Sequence, residues 1–100
     1  MNVRTQYIIA YDVQDNKKRE EIVSLLFDYG LFRIQKSVFW GYLSTAELNS
    51  ISFQAKAVIG AHDEDYFLAT RVMINKKDKK SILINYDNYN FNDWEESGTI

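Results

Sequence analysis

A short apolar run that ends beside an aspartate constrains the fold of this chain more than any other feature. Residues 7 to 13 read YIIAYDV, with no alternation of apolar and polar side chains before Asp12. Such a run is typical of a strand covered on both faces, because a strand with one wet face alternates. The pattern predicts the central strand of a sheet, with a carboxylate at its end.

Helical periodicity follows this strand and returns once more along the chain. Asp15 and Asn16 can cap a first helix, which Gly30 ends. Its apolar stripe consists of Ile22, Leu25, Leu26 and Tyr29. Residues 44 to 47 form a capping box that begins a second helix, and Gly60 ends it. The buried stripe of this helix consists of Leu48, Ile51, Ala55, Val58 and Ile59.

The segment between the two helices, residues 31 to 43, changes phase in its middle. Apolar and polar residues alternate through Gln35, Lys36 and Ser37 interrupt the alternation, and VFW then places apolar groups on both faces. A bulge would give one bent strand, whereas a tight hairpin would give two short antiparallel strands. The sequence leaves both alternatives open.

Two more strands are predicted after the second helix, YFLATRVMI at residues 66 to 74 and SILINY at 81 to 86. The lysine-rich segment between them indicates a solvated hairpin loop, with nonspecific attraction of phosphate as the less common alternative. The order of elements predicts an α+β fold, a ferredoxin-like βαββαβ antiparallel sheet with both helices on one face. Residues 1–86 would form this domain, and residues 87–100 an acidic, aromatic tail. The tail is either disordered or an arm whose Tyr89, Phe91 and Trp94 bury only against another surface.

Composition excludes several kinds of site. The chain has 100 residues, no cysteine and one histidine, which excludes disulfides, zinc–thiolate sites, thiol nucleophiles and metal cages of several imidazoles. We interpret His62 as an exposed loop residue. No apolar run approaches a membrane span of about 20 residues, so we expect a cytoplasmic protein with no membrane partner. Outside the tail, twelve basic residues face ten acidic ones, a balance that is compatible with nucleic acid without indicating it.

Asp12 is the first candidate for chemistry, because the end of a buried strand can present a carboxylate to a ligand. The ordinary alternative is that it caps the turn into the first helix. One carboxylate makes a poor metal site, since Mg²⁺ is usually held by one or two carboxylates together with waters and substrate phosphates. A metal site here therefore needs a second ligand from elsewhere.

The cations Arg19, Arg33 and Lys36 form the second candidate group. Their donors can bind phosphate oxygens, for which the planar guanidinium is well shaped, although solvated surface charge is the more common role. The aromatic residues Tyr11, Phe39 and Trp40 are interpreted as packing groups, because no strand carries an RNA-recognition aromatic signature.

These residues resemble the motifs of the CRISPR-associated protein 2 family over nearly the whole chain. The ordered set comprises Tyr11-Asp12-Val13, Arg19, Tyr29-Gly30-Leu31, Arg33-Ile34-Gln35, Ser37-Val38-Phe39 and Gly41. The chain departs from the family pattern at Trp40, where an acidic or small residue is common, and at Glu21, where some nuclease-active members carry a second arginine. The predicted strand after the second helix also lacks a proline common in the family.

The resemblance implies a ferredoxin-like subunit of a homodimer, with the C-terminal strand exchanged between subunits. It implies that Asp12 is catalytic and that Asp12 of the two subunits shares one Mg²⁺. Arg19 and Arg33 would orient the nucleic-acid backbone or offset developing charge, and Tyr11 and Phe39 would shape the site.

Three functions follow as hypotheses. The first is a metal-dependent endonuclease that hydrolyses RNA or DNA in CRISPR spacer acquisition. The second is a nonenzymatic DNA-binding scaffold for the CRISPR integrase subunit. The third is an unrelated ferredoxin-like module, such as a small-ligand sensor, in which Asp12 is merely a cap.

Overall fold

The computed structural model describes residues 3–60, 64–75, 77–86, 88–89 and 91. The elements in chain order are β1 (Thr5–Asp12), α1 (Asn16–Asp28), β2 (Phe32–Gln35), β3 (Val38–Leu43), α2 (Thr45–Ile59) and β4 (Tyr66–Arg71). The four strands form one antiparallel sheet in the order β2-β3-β1-β4. The predicted α+β class, with two helices beside an antiparallel sheet, is confirmed.

The strand β1 is central, as its apolar run predicts, and lies between β3 and β4. Ile9 of β1 and its register partner Phe39 of β3 are buried in one core with residues of both helices. Both helices therefore pack on the same face of the sheet. The opposite face carries Ile8, Ala10 and Asp12 of β1 and Trp40 and Tyr42 of β3, and we call it the helix-free face. Ile8 and Ala10 are only half-buried, so the single chain covers β1 fully on one side alone.

Both predicted helices begin and end at the residues that the sequence indicates. The Asp15 carboxylate accepts a hydrogen bond from the Lys18 N–H at 2.9 Å and caps α1. Ser44 and Glu47 form both hydrogen bonds of the capping box at the start of α2. Gly30 and Gly60 follow the helices with φ of 78° and 69°, a conformation that side chains disfavour.

The segment between the helices is a hairpin. β2 and β3 pair across a turn at Lys36 and Ser37, and the register also shifts between Arg33 and Gln35. The phase slip in the sequence thus reflects a turn and a bulge together, which settles the alternative that the sequence left open.

The chain after α2 differs from the sequence prediction. β4 ends at Arg71, three residues before the end of the predicted strand. Residues 81 to 86 form no strand, because within the described chain they pair with no sheet edge. Ile82 and Ile84 accordingly remain 83% and 71% exposed. His62 and Lys76 lie outside the described residues, whereas Lys77, Lys79 and Lys80 are exposed as predicted for a solvated loop.

Three aromatic residues near the C-terminus fold back onto the sheet, and we call Tyr86, Tyr89 and Phe91 the aromatic strap. Phe91 is 1% exposed and packs edge-to-face on Trp40, with ring centroids 4.8 Å apart. The hydroxyls of Tyr86 and Tyr89 donate hydrogen bonds to the carbonyls of Ile34 and Arg33. The strap includes residues on both sides of position 86, where the sequence predicts that the domain ends and the tail begins. That domain boundary stays a prediction. Trp94 and the acidic residues of the tail lie outside the described part of the chain.

Neither described helix is long and apolar enough to cross a membrane.

Candidate functional site

Asp12 is the last residue of β1 and is exposed on the helix-free face. Successive side chains of a strand alternate between faces, so the buried Tyr11 turns toward the helices and Asp12 away from them. The register partner of Asp12 is Tyr66, the first residue of β4. Among the described residues, no group of three or more acidic or histidine side chains forms a metal cage. The described chain thus holds no such cage, and Asp12 is an exposed carboxylate at the end of β1.

The loop that follows Asp12 is bound by Arg19 of α1. One terminal nitrogen of the guanidinium, Nη1, donates to the carbonyls of Val13 and Gln14 at 2.8 Å each. The other terminal nitrogen, Nη2, donates to Asn16 Oδ1 at 2.6 Å. These bonds use three of the five donors of a guanidinium. Arg19 therefore holds the loop beside Asp12 and keeps two donors for another acceptor.

Arg33 of β2 performs a comparable task at the β2–β3 turn. Its Nε and Nη2 atoms donate to the carbonyl of Lys36 at 3.0 and 2.7 Å. The guanidinium carbon lies 5.7 Å from the centre of the Phe39 ring, within the range of a cation–π contact. These contacts fix the turn that carries Lys36, whose own side chain is exposed.

The three predicted cations meet in one cleft. It has a volume of about 350 Å³, and we call it the cationic cleft. Its lining comprises Tyr11, Asn16, Arg19, Glu20, Val23, Ser24, Arg33, Lys36 and Ser37. Phe39 is fully buried and packs against Tyr11, with ring centroids 6.3 Å apart. The structure thus unites Tyr11, Arg19, Arg33 and Lys36.

Asp12 does not line this cleft and lies on the other face of the same strand end. Its chain neighbours connect it to the cleft, because Tyr11 lines the cleft and the carbonyl of Val13 is bound by Arg19. The carboxylate and the cations therefore flank the end of β1 from two sides.

The two departures from the family pattern occupy different places. Glu21 is exposed on α1 and lines a separate groove between the helices. Trp40 is 2% exposed and lies under the aromatic strap, which confirms its interpretation as a packing group.

Sequence reasoning missed two polar residues that organise this region. Asp65 accepts a hydrogen bond from the Gln14 N–H at 2.9 Å, and Gln6 bonds to Trp40. Both contacts join residues more than thirty positions apart, so no local spacing signals them.

A family model described as CRISPR associated protein Cas2 matches residues 5–85. The chain belongs to the Cas2 family. A Cas2 relative from Francisella tularensis subsp. novicida, named CRISPR-associated endoribonuclease Cas2 1, is 44% identical over the full length of both chains. A Thermoproteus tenax protein named CRISPR-associated endonuclease Cas1/endonuclease Cas2 fusion is 34% identical over 75% of this chain and 26% of its own length.

Solved structures agree with this membership. A structure titled Crystal structure of cas2 matches 82% of this chain and 98% of its own, with a TM-score of 0.60 and 28% identity. A hypothetical protein TT1823 from Thermus thermophilus matches 71% of this chain and 84% of its own, with a TM-score of 0.65 and 30% identity. Membership of the Cas2 family excludes the unrelated sensor module as a reading of this chain.

Proposed function

We propose that this chain is a CRISPR-associated endonuclease that hydrolyses phosphodiester bonds of RNA or DNA with Mg²⁺ bound at Asp12, and that it acts in spacer acquisition. The observation that carries the proposal is an exposed carboxylate at the end of the central strand, with the cationic cleft on the opposite side of the same strand end. The name of the Francisella relative supports nuclease activity, and that relative matches over the full chain.

The proposed active unit is a homodimer of ferredoxin-like subunits that exchange residues 81 to 86. Exposed Ile82 and Ile84 support the exchange, because these two apolar side chains lack cover in the described chain. Exposed Leu68 pairs with Ala10 on the helix-free face, so apolar surface continues from β1 to β4. If two helix-free faces meet about a two-fold axis, Asp12 of each subunit approaches the other, and the pair supplies the second carboxylate.

The residues present fit Mg²⁺, because carboxylate oxygens are its preferred protein ligands and substrate phosphate can complete the shell. When bound, the ion polarises a phosphoryl oxygen and lowers the pKa of an attacking water. Arg19 and Arg33 retain donors that can orient the nucleic-acid backbone, while their existing bonds hold the loop and the turn. Lys36 supplies an exposed positive charge in the lining of the cleft. Tyr11 lines the cleft, and the fully buried Phe39 packs against the Tyr11 ring and would shape the site only through Tyr11.

The test is cleavage of labelled single-stranded RNA and duplex DNA by wild-type and Asp12→Ala protein, with Mg²⁺ or with chelator. Asp28→Ala is the matched control, since it removes an exposed carboxylate at the far end of α1. We expect metal-dependent cleavage by wild type and Asp28→Ala, and none by Asp12→Ala. Absence of cleavage by wild type, or equal cleavage by all three proteins, refutes the nuclease.

The second candidate is a DNA-binding scaffold for the CRISPR integrase subunit. The name of the Thermoproteus relative describes a fusion of Cas1 and Cas2 in one chain. This fusion supports a Cas1 partner, which the scaffold function requires. In this reading Arg19, Arg33 and Lys36 bind duplex DNA without cutting it. Asp12→Ala then leaves DNA affinity unchanged, whereas reversal of charge at Lys36 weakens it.

A further inference from the structure

Asp65 connects the loop after Asp12 to the start of β4. Its Oδ1 atom accepts a hydrogen bond from the Gln14 N–H at 2.9 Å. Asp65 is half-buried and immediately precedes Tyr66, the residue that pairs with Asp12. A hydrogen bond between a carboxylate and a peptide N–H therefore joins the loop after β1 to the residue before β4.

The loop from Val13 to Asp15 is held from two sides by opposite charges. Arg19 donates to the carbonyls of Val13 and Gln14, and Asp65 accepts from the N–H of Gln14. The Arg19 guanidinium thus meets carbonyl oxygens, and the Asp65 carboxylate meets a peptide N–H. Hydrogen bonds with one ionised partner are stronger than neutral ones. The side chain of Val13 is buried in the hydrophobic core and holds this end of the loop against it. These contacts restrict the strand end that carries the Asp12 carboxylate.

We propose that Asp65 is a positioning residue that fixes the Asp12 carboxylate through the backbone of Gln14. The inference rests on the proposed function, since the carboxylate must bind a metal ion for its position to matter. A functional group must be held within about 0.5 Å of its productive geometry, and a misplacement of about 1 Å can cost about 10²-fold in rate. Asp65 acts on the reaction only through this placement.

The experiment compares Asp65→Ala, Asp65→Asn and the control Glu64→Ala in the full chain. Asparagine keeps an acceptor oxygen for the Gln14 N–H, whereas alanine removes it. Glu64 is the exposed neighbour of Asp65, so its substitution removes a nearby charge without this bond. The readouts are kcat and KM for the cleaved nucleic acid, the Mg²⁺ concentration for half-maximal rate, and Mn²⁺-induced broadening of the NMR signals of residues 11 to 14.

We expect Asp65→Ala to lower kcat about 10- to 100-fold at nearly constant KM, and to raise the Mg²⁺ requirement. Asp65→Asn and Glu64→Ala should stay within about threefold of wild type, because the acceptor is kept in both.

Wild-type rates, Mg²⁺ requirement and Mn²⁺ broadening in Asp65→Ala would overturn the positioning role while leaving the proposed nuclease intact. Equal losses in Asp65→Asn and Asp65→Ala would also overturn it, because the charge rather than the acceptor would then matter. Wild-type protein that neither cleaves nor shows Mn²⁺ broadening near Asp12 overturns the proposed function and this inference together.

Discussion

The indole N–H of Trp40 donates a hydrogen bond to the side-chain oxygen of Gln6 at 2.9 Å. The same oxygen accepts the backbone N–H of Ile74 at 2.9 Å, and the amide nitrogen of Gln6 donates to the hydroxyl of Tyr42 and the carbonyl of Ile74. One side chain of β1 thus joins β3 to the segment that leaves β4. This contact holds Ile74 beside the helix-free face, on which the Gln6 side chain lies.

We expect Gln6→Leu to lower the free energy of unfolding by about 1–3 kcal/mol, because the buried indole N–H of Trp40 loses its acceptor. Urea denaturation of the two proteins measures the difference. Gln54→Leu is the control, because Gln54 is exposed on α2 and bonds through its side-chain nitrogen to Tyr29 and Ser50. Equal losses in Gln6→Leu and Gln54→Leu would contradict the role of the Gln6 contact.

Phe91 is the core of the aromatic strap, and Phe91→Ala should expose Trp40. Large core truncations of phenylalanine cost about 3–5 kcal/mol, and the loss here should fall at or below that range because a terminal segment can detach locally. The readout is a red shift of Trp40 emission together with stronger quenching by acrylamide. A Trp94→Phe background leaves Trp40 as the sole tryptophan, since the chain has two.

Phe53→Ala is the control for this experiment, because Phe53 is 77% exposed on α2. It should change neither the emission of Trp40 nor the stability by more than about 0.5 kcal/mol. Unchanged emission in Phe91→Ala would show that the strap does not cover Trp40 in solution.

Gly41 of β3 has no room for a side chain. A Cβ atom there would lie 2.5 Å from Cδ2 of Leu31 and 3.3 Å from its Cα atom. The side chain of Leu31 can move, but its backbone cannot, so we expect Gly41→Ala to cost about 1–3 kcal/mol in urea denaturation. In the double variant with Leu31→Ala, the loss should be smaller than the sum of the two single losses. Additive losses would indicate that the two sites do not touch.

The sequence predicted the elements whose determinants are local. Asp15 and Ser44 cap their helices through atoms three residues away, and such contacts leave a readable spacing. The placement of Asp12 away from the helices follows from its alternation with Tyr11. Arg19 and Arg33 were grouped as candidates by their chemistry and by the family resemblance. No local spacing indicates that they line one cleft, because that depends on how α1 packs over the β2–β3 hairpin.

The C-terminal half was less predictable for a physical reason. Phe91 is buried by Trp40, and Tyr86 is bound to the carbonyl of Ile34, across fifty or so residues of chain. A segment of asparagine and aromatic residues carries no periodicity that would predict which surface its rings contact. The SILINY segment pairs with no strand in the described chain, so its exchange with a second copy stays a proposal.

Glu47 gives the stability a defined pH dependence. Burial raises the pKa of Glu47, but hydrogen bonds from Ser44 and from the Arg4 guanidinium outweigh it and leave the pKa below its ordinary value of 4.5. The folded protein then binds this proton less tightly than the unfolded chain. The stabilisation is fully present above pH 4.5 and is lost as the pH falls through the lower folded pKa.

Glu47→Gln keeps the capping-box acceptor but loses the ion pair with Arg4, so we expect a loss of about 0.5 kcal/mol at pH 7. The two proteins should converge in stability at acidic pH, as measured by urea denaturation across that range. Glu20→Gln removes an exposed carboxylate of α1 and should show no such convergence. A constant difference between wild type and Glu47→Gln at all pH values would exclude the carboxylate as its origin.

Lys36 is placed to contact a phosphate, because its backbone is fixed by Arg33 while its side chain stays exposed at the cationic cleft. Each phosphate contact to duplex DNA contributes about 0.9 to the slope of log affinity against log salt concentration. Lys36→Ala should therefore reduce that slope by about 0.9, measured by fluorescence anisotropy between about 50 and 200 mM salt. Lys56→Ala removes an equal charge from α2, a helix that contributes no residue to the cleft lining, and should leave the slope unchanged. Equal slopes for Lys36→Ala and wild type would place the nucleic acid elsewhere, whichever of the two proposed functions holds.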